Sequence, residues 1–175
     1  MVMVKPETLS ERDRRLIVAA RDAAKSAYAP YSGFAVGSAA RSISGEITSS
    51  SNLENASLGL TVCAESGALA AANTKGQYDK IDAIAVVGHK FFPTQDSSQI
   101  VTPCGRCRQL ISESAQLSGH DIQVFACSGD LQKIEKYRIS ELLPQAFGPR
   151  TIGTDDTVKS SSSSSSLRKL KISNP

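Results

Sequence analysis

The 175-residue sequence contains no long apolar run: its most apolar stretch, Ile81 to Gly88, falls far short of the roughly 18 residues a membrane-crossing helix needs. No membrane span is expected. The opening residues, Met1-Val-Met-Val-Lys-Pro-Glu7, meet charge early and lack the apolar core of a secretory leader, so a cytoplasmic location is expected. An excess of one charge is lacking too, since 20 Lys and Arg against 17 Asp and Glu leave +3, which gives no sign of a nucleic-acid footprint. There is no internal repeat. Cysteine and histidine are sparse, at four and two. Four cysteines in an intracellular chain read as metal ligands or reactive thiols rather than as a disulfide framework.

The length suits one domain with an appendage. Thr8-Leu-Ser-Glu11 resembles a capping box, and Leu16, Ile17, Ala20, Ala23, Ala24 and Ala27 then recur at helical spacing, which predicts an amphipathic helix ending near Tyr28-Ala-Pro30. Arg12, Arg14, Arg15, Arg21, Asp22 and Lys25 form its expected solvated face. Phe34 to Ile43 and Glu46 to Ser50 flank Ser44-Gly45 as a hairpin. Cys63 to Asn73 and Cys104 to Leu117 read as helices, and Ile81 to Val87 and Ile122 to Cys127 as buried strands. Lys136 to Ile139 is an expected edge strand and Ser140 to Phe147 an expected short helix. The alternation predicts a three-layer α/β/α domain with a mixed sheet over residues 1–149. From residue 150 a flexible tail is expected, with seven consecutive serines (Ser160 to Ser166) and a basic end at Leu167-Arg-Lys-Leu-Lys171.

Cys104-Gly-Arg-Cys107 follows Pro103 at a predicted helix start, where peptide dipoles favour thiolate, the form that binds zinc. Alone, this spacing fits either a redox pair or half of a structural zinc site. Cys63-Ala-Glu65 stands at another helix start and adds one ligand. Three thiolates leave a fourth position open for water, as catalytic zinc requires. Closing that position is difficult for this chain: Cys127 lies in a predicted strand and reads as a small core residue, while His89 and His120 lie in predicted loops without ligand spacing.

The pairing of Cys63-Ala-Glu65 with Pro103-Cys104-Gly-Arg-Cys107 is the zinc nucleoside deaminase signature in all-cysteine form. Together with Tyr28-Ala-Pro-Tyr-Ser-Gly-Phe34-Ala-Val-Gly37, Asn52-Leu-Glu54-Asn55-Ala56 and Glu141-Leu-Leu-Pro144-Gln-Ala-Phe147-Gly-Pro149, it makes residues 9–149 resemble the small, homotetrameric cytidine deaminases. The resemblance implies Zn²⁺ held by Cys63, Cys104 and Cys107, with a water activated for attack on the pyrimidine and Glu65 carrying the protons. It further implies a free nucleoside as substrate, with Asn52 and Glu54 on the ribose 3′-hydroxyl, Phe34 lining the base pocket, Ala64 among the substrate-binding residues, and Phe147 reaching a neighbouring subunit's site to stack on the base.

Three thiolates on Zn²⁺ carry a net negative charge, which something must offset. By the resemblance Arg108 donates to a ligand sulfur, and Arg106 is expected at the surface. Two positions depart from the family's habit. Ser66 stands where an arginine is common, which implies weaker tuning of the metal, and Leu58 replaces a tyrosine near the sugar's 5′ side. Rival readings are a deaminase of a cytosine-nucleoside antibiotic such as blasticidin S, a polynucleotide editor, and a non-catalytic zinc module. The Asn52-x-Glu54 pair favours a plain ribose, the lack of an aromatic and basic stripe opposes a bound strand, and a binding module has no need of Glu65.

Overall fold

The computed structural model describes residues 1–91 and 97–153. The serine tract and basic end expected to form a flexible tail lie outside the described residues. Ten main elements follow in order: β1 (Val2–Val4), α1 (Glu11–Ala24), β2 (Phe34–Ser42), β3 (Ile47–Ser51), α2 (Ala64–Thr74), β4 (Ile81–Lys90), α3 (Gly105–Ser118), β5 (Gln123–Ser128), β6 (Ile134–Arg138) and α4 (Ile139–Leu142). The strands form one sheet in the order β1-β6-β5-β4-β2-β3. Among the described strands only β4 and β5 run parallel, with Ala83 opposite Gln123 and Gly88 opposite Ser128. A parallel pair needs a crossover, and α3 provides it.

Side chains alternate across a strand, so the central strands feed two cores. Ala39, Ala83, Ala85, Val87, Phe125 and Cys127 pack with Leu16, Ile17 and Ala20 of α1. Ala40, Ile84 and Val124 pack on the other face with Ala68, Leu69 and Ala72 of α2 and Ile111 of α3. That is the expected three-layer arrangement, and burial on both faces explains why β4 reads as an unbroken apolar run. The α1 layer lies close to the sheet because Gly37 has no side chain: a Cβ there would overlap the Ala20 carbonyl and crowd the backbone of Ala24. Cys127 is fully buried in the first core, as expected of a small apolar residue.

Several expectations are corrected. The cap of α1 is Ser10, whose hydroxyl accepts from the Asp13 amide at 3.1 Å; Thr8 ends a preceding 3-10 turn instead. A local hydroxyl two residues nearer the apolar stripe wins the capping place. Arg12 is more than a solvated charge, since it donates to the carbonyls of Ser42 and Ile43 and pairs with Asp82. The strand expected at the edge is interior, because β1 pairs along its outer side. Three residues are too few for alternation to reveal a strand. The helix expected over Ser140 to Phe147 stops at Leu142, because Pro144 drives the preceding residue, Leu143, out of helical conformation (φ −140°, ψ 77°). His89 lies within β4 rather than in a loop. Past Pro149 the chain is still held, with the Arg150 amide donating to Gln116 Oε1 at 3.3 Å. Among the described residues no helix is long and apolar enough to cross a membrane.

Candidate metal centre and active site

Two helices begin side by side at the three cysteines. Cys63 is the N-cap of α2 and Cys104 the N-cap of α3, each with extended backbone (φ −69°, ψ 150° and φ −67°, ψ 167°). Pro103 therefore stands just before the cap, not in the first turn. Cys107 lies one turn into α3 and is fully buried. The three sulfurs lie within 4.8 Å of one another, and the gap between Cys63 and Cys104 is 3.9 Å. Two sulfurs bound at about 2.3 Å to one tetrahedral zinc are about 3.8 Å apart, so the spacing fits that metal.

The donor chemistry points the same way. Burial works to raise the Cys104 thiol, but the Cys107 amide and the neighbouring thiols outweigh it and hold it below its usual range. Cys63 is pushed up by burial and by the neighbouring Cys104 sulfur. Cys107 is driven well above its usual value by burial and by the nearby Glu65 charge. Three thiolates this close repel one another, and a bound cation removes the conflict. Among the described residues no fourth ligand joins the group. His120 lies past the far end of α3, about 20 Å along a 14-residue helix. A three-protein-ligand site keeps a position for water, which the chemistry of catalytic zinc needs.

Glu65, in the first turn of α2, is 4% exposed. Burial raises its pKa above the ordinary carboxylate value.

The family model of the cytidine and deoxycytidylate deaminase zinc-binding region matches residues 10–118. The chain belongs to that family. It is 42% identical over 138 residues to a cytidine deaminase of Halalkalibacterium halodurans, covering 77% of this chain and 94% of that one. The 1.6 Å crystal structure of a Burkholderia pseudomallei cytidine deaminase superposes with a TM-score of 0.66 at 35% identity, covering 79% of this chain and all of the other. A blasticidin-S deaminase of Bacillus cereus is 37% identical over 113 residues, or 64% of this chain and 76% of its own.

The remaining expected residues of this deaminase are placed as follows. Phe34 opens β2, and its ring lies beside Gly88 and Val101, where a Cβ on Gly88 would meet it at 2.8 Å. Ala64 is the buried first residue of α2. Asn52 and Glu54 lie beyond the end of β3, not within it, and Leu53 between them bridges Tyr28 and Val62. The Asn52 amide clamps the backbone of β2, accepting from the Val36 amide at 2.9 Å and donating to the Phe34 carbonyl at 3.0 Å. Glu54 Oε2 accepts from the amides of Tyr31 (2.9 Å) and Ser32 (3.2 Å). The Ser32 hydroxyl and these amides hold its carboxyl below the usual range. Phe147 is 60% exposed, with its carbonyl taking a bond from Gln109. Arg106 is exposed, as expected.

Arg108 differs from expectation. Its guanidinium donates to the carbonyls of Pro103 (2.8 Å) and Leu142 (3.0 Å) and to the Thr102 hydroxyl (3.4 Å), bracing the turn that carries Cys104 rather than touching a sulfur. The hydroxyl of Ser66 lies 3.7 Å from the Cys107 sulfur instead. The sequence carried a signal for this. Ser66 follows Cys63 by three residues on α2, one turn along the same face.

Proposed function

We propose that this chain hydrolyses cytidine and deoxycytidine to uridine and deoxyuridine with release of ammonia, as a cytoplasmic homotetramer acting on free nucleosides in pyrimidine salvage. The observation that carries the reading is the buried Glu65 next to three sulfurs spaced for one zinc. Zinc held by Cys63, Cys104 and Cys107 supplies, when bound, the activation of a water toward the electrophilic C4 of the ring. Glu65 would take the first proton of that water and pass it to N3, then take the second from the oxygen now on C4 and pass it to the departing amine, so that water and cytidine become uridine and ammonia and the carboxylate is restored. Asn52 and Glu54 converge on the ribose, and Phe34 lines the base.

None of the four cysteines is paired in a disulfide, a condition that a reducing compartment maintains. Support for assembly comes from apolar side chains left exposed in the single chain: Tyr28, Tyr31, Leu53, Leu58, Leu60 and Phe147 are each more than half exposed. Tyr28 and Leu53 adjoin through a β-bridge, and apolar surface gathered in this way is what an interface between subunits covers. Light scattering is expected to give four times the 18.5 kDa chain mass. Phe147→Ala is expected to raise KM severalfold with little change in melting temperature. A fully active monomer would contradict the assembly.

Ammonia release from cytidine, deoxycytidine and blasticidin S tests the substrate reading. Turnover of the two nucleosides well above that of the antibiotic is expected. The reverse order would assign the chain to the antibiotic, the substrate named in the Bacillus cereus relative.

A further inference from the structure

Three thiolates bring three negative charges to a divalent cation, and the protein groups that touch the sulfurs decide how much of that charge the metal feels. In this chain the guanidinium nearest in sequence, Arg108, is committed to Pro103, Leu142 and Thr102. Besides the Glu65 carboxylate, which also interacts with the buried ligand, the Ser66 hydroxyl is set 3.7 Å from Cys107 Sγ. It is held there by packing: α2 is tied to β3 through the Thr48 hydroxyl, which donates to the Ala68 carbonyl at 3.0 Å. Gly67, next to Ser66, lets Ser50 of β3 come so close that a Cβ would collide with it. Cys107 is fixed from the other side by its place in α3 and has no exposure to water, so no solvent proton can take the place of the hydroxyl.

We propose that Ser66 is a positioning residue of the metal centre, donating a hydrogen bond to Cys107 and drawing charge from that sulfur. The direction follows from chemistry: a metal-bound thiolate has no proton, so the hydroxyl must be the donor. The inference rests on the three-cysteine zinc reading and goes beyond it by naming the group that tunes one ligand.

Cobalt(II) substitution of the full chain tests both, because thiolate-to-cobalt charge-transfer absorption reports directly on electron density at sulfur. Ser66→Ala is expected to move that absorption to longer wavelength, since an unbonded thiolate gives up its electrons more easily. Competition with a chromophoric chelator at neutral pH is expected to show zinc held about 10-fold less tightly. Ser66→Thr keeps the hydroxyl and is expected to leave both readings near those of the unaltered protein. Alanine is a strong helix former, so a purely structural role for Ser66 would move neither. If Ser66→Ala leaves the absorption in place and zinc affinity within twofold, the proposal is wrong while the metal centre stands. If the unaltered protein gives no thiolate-to-cobalt absorption, the three-cysteine reading fails and the proposal falls with it.

Discussion

Glu65→Gln is expected to reduce kcat by about 10²- to 10⁴-fold while zinc content and KM change little. Glutamine has the same shape and fills the same buried place at the start of α2, so binding contacts survive. What disappears is a group able to accept, hold and return a proton. The loss corresponds to roughly 3–5 kcal/mol of barrier, the scale of a general acid-base contribution. Because burial is what raises the Glu65 pKa, a neutral amide relieves a desolvation cost, and the melting temperature should not fall. Turnover within tenfold of the unaltered enzyme would remove Glu65 from the proton-transfer role.

Arg41→Ala should be strongly destabilising. Arg41 is 4% exposed and lies on β2, where Nε and Nη2 grip the Asp82 carboxylate at 2.9 and 3.1 Å and Nη1 meets Asp13 at 2.8 Å. It therefore joins α1, β2 and β4. Truncation leaves two partly buried carboxylates near each other, with only Arg12 still touching Asp82. Breaking a buried pair costs about 3–5 kcal/mol; the partial exposure of both carboxylates places this one near 3, or about 10 °C in melting temperature.

The pH dependence has a definite sign. Burial acts to raise the Asp13 pKa, but hydrogen bonds from Arg41 and Ser10 outweigh it and leave it below 3.8. A carboxylate lowered by folding contributes its stability above the unfolded pKa and loses it as pH falls through the folded value. The gap in melting temperature between the unaltered and Arg41→Ala proteins should therefore be full at pH 7 and narrow below about pH 4. A gap that stays the same at both would show that lost packing, not charge, is the cause.

The chemistry of the site was more legible in the sequence than its support. Cysteine, proline and glutamate at helix starts announce themselves locally, so Cys63, Glu65, Cys104 and Cys107 could be grouped before any coordinate was known. Long side chains do not announce where they point. Arg108 lies beside a ligand in sequence yet turns toward Leu142, 34 positions away, and the capacity of Arg41 to bind two carboxylates from different elements leaves no local pattern. The motif around Asn52 points to a sugar ligand, whereas in the fold its amide satisfies the backbone of Phe34 and Val36 much as a neighbouring strand would. Periodicity found the helices and long strands because each buries a regular stripe. It could not find β1, whose three residues are ordered by the partner they pair with, not by a pattern of their own.

The placing of Cys63 and Cys104 at the heads of separate helices has a consequence for the unfolded chain. These residues are 41 positions apart, and between them lie all of α2 and β4. A metal gripping both binds the folded chain in preference to the unfolded one, so its binding free energy adds directly to the stability of the fold. The ligands meet only when the two helix heads have docked on one face of the sheet. Acquisition of the ion thus marks the moment at which the two halves of the domain have found each other, and a chain that has lost its ion is also a chain that has lost a staple.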